Sequence, residues 1–293
     1  MNLDLDQLRT LAAIVDHGSL EAAARVLHVT PSAVSQRLRA LESATGQVLL
    51  VRSRPVSPTP AGSALIRTAR QVELLLADTA EELTGTAAAP ARPVLEIAVG
   101  GDSLTTWALP ALAAVADVAS VHVRREDETR TSALLREGTV VAAVTTEGRP
   151  VAGCRVVRLG KMRYRPIAPP SVAERFFPDG VTPAALARAP VVTFDYADDL
   201  QHAYVRRHGA ELRPPSHQVP SSADFLAAIL LGMGWGMVPD LQSAPHLASG
   251  ALVELDPAGP VDVVLHWQRW ALRTASLDAL TDAVREAARR QLR

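Results

Sequence analysis

The sequence predicts an α/β chain made of a small helical head, one long connecting helix and a two-lobed α/β body. Three patterns predict it. Two short helical periods joined by a capped turn occupy the first ~60 residues, an apolar seam of period ~3.6 follows, and from residue 94 onward β-branched runs alternate with helical segments. At 293 residues the chain exceeds a typical single domain, so two or three compact units are expected.

The head begins with Leu5, Leu8, Leu11, Ala12 and Val15 on one helical stripe, closed by Gly18. Ser19 caps a second helix whose Leu20, Ala23, Ala24 and Leu27 share a face, and which stops near His28. Thr30 offers another cap, and Pro31 takes the first helical position, where its missing N–H costs nothing. The third helix turns Ala33, Val34, Leu38 and Leu41 inward, while Ser32, Ser35, Gln36 and Arg39 lie on its polar face near the start. A recognition helix enters the major groove with its early residues on base edges, where Gln pairs with adenine and Arg with guanine. A packed helical hairpin with its polar face in water is the plain alternative. The small residues Ala22 to Ala24, the short turn and the polar opening of the third helix favour a helix-turn-helix.

Val48 to Val51, then Arg52-Ser-Arg54, Pro55 and a strand ending near Ser57 add a wing, making residues 1–60 a winged helix-turn-helix. Arg52 and Arg54 would flank the recognition helix and meet phosphate or a minor groove; each taken singly reads equally as a solvated arginine. The candidate DNA contacts are Thr30, Pro31, Ser32, Ser35, Gln36, Arg39, Arg52 and Arg54. Residues 61–84 form the connecting helix, with Ala64, Leu65, Thr68, Ala69, Val72, Leu75, Leu76, Thr79 and Leu83 as its seam. A lone helix cannot bury that seam, so a copy from a second subunit is the simplest partner. Residues 85–93, a proline-bounded run of small residues, read as a hinge.

Four stretches of this region carry a family resemblance: Leu5-Asp-Gln-Leu-Arg-Thr-Leu11, Ser19-Leu-Glu-Ala-Ala-Ala24, Pro31-Ser-Ala-Val-Ser-Gln-Arg-Leu-Arg-Ala-Leu-Glu42 and Thr59-Pro-Ala-Gly62. In them the chain closely resembles the LysR-type transcriptional regulators, and the resemblance runs its whole length. It implies a DNA-binding regulator that is not an enzyme, with a double-stranded operator as partner and the connecting helix as dimer element. A homodimer, a homotetramer of it, and contact with RNA polymerase are expected with that family, as is a periplasmic-binding-protein-like effector domain after the hinge.

In the body, Val94 to Val99, Val121 to Arg125 and Val140 to Thr145 read as strands, with helices at Ser103 to Val115 and Thr129 to Glu137 between them. Less regular alternation follows: strands at Arg165 to Ala168, Val191 to Phe194, His217 to Pro220 and Trp235 to Val238, and helices at Ser171 to Phe176, Asp198 to His208 and Ser222 to Leu231. Val261 to Trp270 is a final strand and Ser276 to Leu292 an amphipathic helix. The body at 94–293 thus divides into lobe I, about 94–164 and 268–293, and lobe II, about 165–267.

Open α/β sheets bind ligands at the carboxyl ends of strands, where helix N-termini offer free N–H groups. Gly100-Gly-Asp-Ser103 in one lobe and Pro220-Ser-Ser-Ala-Asp-Phe225 in the other have that form, with Ser103, Thr105, Thr106, Ser221 and Ser222 as donors to an anion. Either alone is an ordinary cap; their matching places point to a cleft. Asp102, Glu126-Asp127-Glu128, Asp195, Asp198-Asp199 and Asp224 gather at the same strand ends, most as solvated or capping groups. A helix N-terminus for a carboxylate and an Asp for a distant cation would suit a basic amino acid, with Trp107 and Phe225 on its aliphatic stem. Gly101-Asp-Ser-Leu-Thr-Thr-Trp107, Val219-Pro-Ser-Ser-Ala-Asp-Phe225 and Gly232-Met-Gly-Trp-Gly-Met-Val-Pro239 resemble the branch of the family that senses lysine or arginine and controls basic amino acid export, the LysG/ArgP branch. That resemblance implies lysine or arginine as effector, held by Ser103, Thr105, Trp107, Ser221, Ser222 and Asp224, with Asp102, Asp127 and Phe225 as further candidates.

The formal net charge of -1 excludes a histone-like DNA coat, though site-specific binding needs only local charge. Cys154, the single cysteine, rules out an internal disulfide and a thiolate metal cluster, and reads as a packed residue. No export signal or uncharged run of ~18 residues occurs, so a cytoplasmic protein without membrane contact is expected. Gly232-Met-Gly-Trp-Gly236 follows a helix and precedes a strand, the reverse of a dinucleotide fingerprint. The eight histidines show no metal-ligand spacing, no nucleophile motif occurs, and no cofactor is expected. Two alternatives stand beside the regulator of basic amino acid export. A LysR-type regulator could answer to another metabolite, and an amino-acid-binding protein or enzyme of periplasmic-binding-like fold would leave the first ~60 residues unexplained.

Overall fold

Each helix of the head starts on a side chain that satisfies a backbone donor. The first, α1 (Leu5–His17), starts where the Asp4 carboxylate accepts the Gln7 N–H at 3.0 Å, and stops at left-handed Gly18. The Ser19 hydroxyl accepts the Ala22 N–H at 3.1 Å to start α2 (Leu20–Val26), and the Thr30 hydroxyl accepts the Ala33 N–H at 3.1 Å to start α3 (Pro31–Thr45). Caps of this kind are worth about 1 kcal/mol each. Ala23 and Ala24 are buried with Ile14 and Val34, so small side chains let α2 cross its neighbours closely. The turn between α2 and α3 places His28 at φ 53°, a left-handed conformation uncommon outside glycine. An antiparallel wing of β1 (Leu50–Val51) and β2 (Ser57–Pro58) follows. The computed structural model describes residues 3–51, 53–84, 92–195, 198–209 and 214–293, so Arg52 and hinge residues 85–91 lie outside the described residues.

The long helix α4 (Pro60–Thr84) seats on the wing through Gly62, where a Cβ would lie 2.1 Å from the Leu49 carbonyl oxygen. Ile66 and Ala69 close the head's core with Leu8, Leu11, Leu41 and Leu49, whereas Leu74 packs into the core of the body. Three polar contacts fix α4 to lobe I. Arg67 donates to the Arg136 carbonyl at 3.2 Å, Arg70 donates to the Gly138 carbonyl while also gripping Asp16, and the Asp78 carboxylate accepts the Ala275 N–H at 2.9 Å. On the open side Leu75, Leu76 and Leu83 are 43%, 46% and 82% exposed, so the far part of the seam finds no cover among the described residues.

Lobe I begins with β3 (Val94–Val99) and a helical run in three pieces: α5 (Gly101–Ser103), a π turn at Leu104–Ala108 and α6 (Leu109–Ala113). Then come β4 (Ser120–Arg125), α7 (Thr131–Glu137) and β5 (Ala142–Thr145). The fifteen-residue β6 (Cys154–Ala168) passes into lobe II, which holds α8 (Pro170–Phe176), α9 (Pro183–Arg188), β7 (Val191–Thr193), α10 (Leu200–Arg207), β8 (Ser216–Gln218), α11 (Ser222–Leu230), β9 (Gly236–Pro239), α12 (Asp240–Ala248) and β10 (Val253–Glu254). The chain returns through β11 (Val261–Trp270) and ends in α13 (Ala275–Gln291). In the seven-stranded sheet the order is β4-β3-β5-β11-β6-β10, with β9 also on β6; β3 runs parallel to β4 and β5, and β11 antiparallel to β5 and β6. Parallel β7 and β8 form a small second sheet in lobe II. One core, including Trp107, Trp235, Trp267 and Trp270, runs through the body, and no described helix is long and apolar enough to cross a membrane.

The strand expected at Arg165 to Ala168 is therefore only the end of β6. A register shift opposite Leu265 and His266 leaves Leu159 without a partner and breaks the inward-outward alternation, which hides the first part of the strand. Short α9, α12 and β10 were also not expected; α12 carries Pro245 inside it, which reads as a stop. Cys154 is half-buried at the start of β6, and burial pushes its thiol up to about 11, the behaviour of a packed residue and not of a nucleophile.

Candidate functional site

At the head, the polar edge of α3 faces outward. Pro31, Ser32, Gln36 and Arg39 are exposed together with Thr30, and Ser35 is half-buried beside them, while Val34 and Leu41 are fully buried on the opposite face. Arg37, between them in sequence, turns back to Asp6 at 3.4 Å. Arg54 is exposed on the wing next to the pair β1 and β2. The helix thus presents a hydroxyl, an amide and a guanidinium on one outward face, side chains able to hydrogen-bond base edges, on a scaffold set by its own caps.

Between the lobes lies a cavity of about 530 Å³. Lobe I supplies Gly101, Asp102, Thr146 and the run Arg125 to Thr129; Tyr164 stands on β6 where it crosses between the lobes, and lobe II supplies Phe194, Asp195, Asp198, Gln201, Phe225, Met237 and Gln242 among others. Its described lining holds seven carboxylates, those of Asp102, Glu126, Asp127, Glu128, Asp195, Asp198 and Asp199, against one cation, Arg125. Asp102 joins the lobes: its carboxylate accepts from the Tyr164 hydroxyl at 2.9 Å and from the Ser222 hydroxyl at 2.5 Å, and Gln242 donates to Ser222 at 3.1 Å. Glu128 lies against the start of α5 and accepts from the Ser103 hydroxyl at 3.1 Å. Gly100 makes that approach possible, because a Cβ there would lie 1.9 Å from the Glu128 Oε1. Asp198 accepts backbone N–H groups of Phe194 at 2.9 Å and Leu200 at 3.2 Å.

These carboxylates resist ionisation. Burial raises Asp102, and the charge of Asp127 adds to the effect against the opposing bonds from Ser222 and Tyr164. Burial, then the charge of Asp102, pushes Glu128 up to about 7. Burial raises Asp198 as well, and drives the Tyr164 hydroxyl well above its ordinary value, so it stays a donor. A cation entering the cavity would reverse the penalty on all three acids at once.

The candidate ligand residues divide clearly. Asp102, Asp127 and Phe225 line the cavity. Ser103 and Ser222 lie just behind it and spend their hydroxyls on Glu128 and Asp102, so they position carboxylates and do not offer themselves to an anion. Thr105 is exposed and bonds to the Gly101 carbonyl at 2.7 Å, and Thr106 bonds to that of Asp102 at 2.6 Å. Trp107, within the π turn, is 1% exposed and packs in the core of the body, not in the cavity lining. Ser221 is half-buried at the N-cap of α11 without a side-chain cap bond, and Asp224 is exposed on that helix; neither lines the cavity. Sequence reasoning missed Arg125, Tyr164, Gln201 and Gln242. Tyr164 had one readable signal, a polar tip on the buried face that it shares with Met162 and Pro166.

Residues 5–63 match the bacterial regulatory helix-turn-helix protein model of the lysR family, and residues 88–289 match the LysR substrate binding domain. The chain is 44% identical over 287 residues to the HTH-type transcriptional regulator LysG of Mycobacterium tuberculosis, covering 98% of this chain and 94% of that one. It is also 44% identical over 291 residues to the lysine export transcriptional regulatory protein LysG of Corynebacterium glutamicum, covering 98% of each. Among solved structures, ArgP from Mycobacterium tuberculosis superposes with a TM-score of 0.88 at 43% identity, covering 100% of this chain and 99% of that one. Full-length LysG from Corynebacterium glutamicum with bound effector Arg gives 0.81 at 44% identity, covering 99% of this chain and 100% of that one. An outward-facing reading helix and a two-lobed body with a central cavity are thus found together with near full-length similarity, and the chain belongs to the LysR family of transcriptional regulators.

Proposed function

We propose that this regulator senses a basic amino acid, lysine or arginine, in its interlobe cavity and controls the gene that exports it. The observation that carries the reading is the excess of seven carboxylates over one guanidinium in a cavity of about 530 Å³. Such a lining repels anions, and burial leaves Glu128, pushed up to about 7, partly protonated until a cation arrives. The relatives named for lysine export, and the arginine bound in one of them, support the same ligand class.

In this reading α3 enters the major groove of operator DNA with Ser32, Ser35, Gln36 and Arg39 toward the bases. Thr30, Pro31, Arg52 and Arg54 meet the backbone or the minor groove. The open part of the α4 seam pairs two copies, and two such dimers make a tetramer that engages a pair of half-sites in the cytoplasm, within reach of RNA polymerase. Effector binding changes the angle between the lobes and so the spacing of paired heads. A thermal-shift screen of the purified full-length protein against the twenty amino acids tests the ligand class, since a molecule that binds only the folded state raises its melting temperature. Lysine or arginine should stand out; a response only to acidic or apolar amino acids would overturn the reading.

A further inference from the structure

We propose that Arg125 receives the α-carboxylate of the effector and thereby makes the cavity select a basic amino acid over its decarboxylated amine; this rests on the ligand class proposed above. A basic amino acid brings two cations and one anion into the site. The cations have an abundance of carboxylates to choose from, but the anion needs a donor that is not already spent. Three hydroxyls at the strand ends are spent: Ser103 on Glu128 at 3.1 Å, Ser222 on Asp102 at 2.5 Å and Thr105 on the Gly101 carbonyl at 2.7 Å.

Arg125 ends β4 and is the one cationic side chain in the described lining of the cavity. Its neighbours are neutralised. Arg124 pairs with Glu96 at 3.3 Å, and Arg130 lies 3.7 Å from both Glu126 and Asp195. Arg125 has no carboxylate partner among the described residues; its one described bond is a long one, from Nη2 to the Pro220 carbonyl at 3.3 Å, which reaches from lobe I to lobe II. A guanidinium has five N–H donors in a planar fork, a match for a carboxylate, and most of this fork is uncommitted. A molecule with cationic N–H groups and a carboxylate together would use both the acidic lining and the Arg125 fork.

The test is calorimetric titration of the full-length protein with L-arginine and with agmatine, which is arginine without its carboxylate. Wild type should bind arginine more tightly than agmatine by on the order of 10- to 100-fold, the worth of a charged hydrogen-bonded pair. Arg125→Gln should weaken arginine by that factor and leave agmatine unchanged, so the preference disappears, while Arg125→Lys should restore part of it. Arg125 is exposed, so an unchanged melting temperature is expected for the ligand-free variants. Retention of the arginine preference in Arg125→Gln would overturn the assignment, as would equal wild-type affinity for the two compounds. Wild type that binds neither arginine nor lysine would instead remove the ligand class on which the assignment rests.

Discussion

Glu128 gives the cavity a measurable response to pH. Its carboxyl ionises at about 7 in the ligand-free protein because burial and Asp102 oppose its charge. A cationic effector favours the charged form, so binding expels the proton wherever the free protein holds it. For a group that titrates near 7, the ionised fraction drops from about 0.9 at pH 8 to about 0.1 at pH 6, and effector affinity should fall about 10-fold over that interval, about 1.4 kcal/mol. Asp102 and Asp198, also raised by burial, add to the loss as pH falls. The ligand-free protein behaves in the opposite sense. Its folded state holds this proton more firmly than the unfolded chain, whose carboxyl titrates at 4.5, so the stabilisation is complete below 4.5 and is lost as pH rises through about 7. Glu128→Gln should therefore stabilise the empty protein at pH 8, by up to about 3 kcal/mol, while flattening the pH dependence of arginine binding. Calorimetry with L-arginine at pH 8, 7 and 6, in buffers of different ionisation enthalpy, reads both the affinity and the protons released. Equal affinity at pH 8 and pH 6 with no proton release would refute the role given to Glu128.

Three further outcomes are expected. Gln36→Ala and Arg39→Ala should each weaken binding to the cognate operator by about 1 to 3 kcal/mol with little change in nonspecific binding, and an unchanged gel-shift affinity would remove that residue from the reading face. Leu75→Asp with Leu76→Asp, on the open flank of α4 where both are nearly half exposed, should shift the protein to monomers in sedimentation at unchanged helicity; a persistent dimer would place the interface elsewhere. Gly100→Ala sets a methyl 1.9 Å from the Glu128 carboxylate, so arginine affinity should drop at least about 10-fold with Glu128 displaced; an affinity within error of wild type would show that the carboxylate does not serve the ligand.

The head was legible almost residue by residue, because its information is local. Ser19, Thr30, Pro31 and Gly18 mark boundaries through hydrogen bonds that span three or four residues, and the Ala23-Ala24 pair announces a close crossing. His28 escaped, since a left-handed backbone at a histidine has no sequence signature. In the body the alternation of strands and helices was readable, whereas β6 was cut short because a bulge at Leu159 breaks the period on which strand reading depends. The cavity was half visible. Its carboxylates cluster at strand ends in sequence, but which candidates line it depends on tertiary packing, which buries Trp107 in the core and leaves Asp224 exposed outside. Arg125, Tyr164 and Gln201 come from three distant segments that only the tertiary fold brings together.

The two long strands β6 and β11 tie the lobes as one ribbon, hydrogen-bonded from Cys154 and Trp270 at one end to Tyr164 and Val261 at the other. Paired along that length, the two rails would bend together, and a closure of the lobes would find its weakest point at the irregularity beside Leu265. Where α4 meets the body, its described hydrogen bonds through Arg67, Arg70 and Asp78 clamp lobe I. With α4 held to lobe I, a closure of the cavity would carry lobe II relative to the head and long helix, so that a ligand in the gap would be read out on the surface of lobe II.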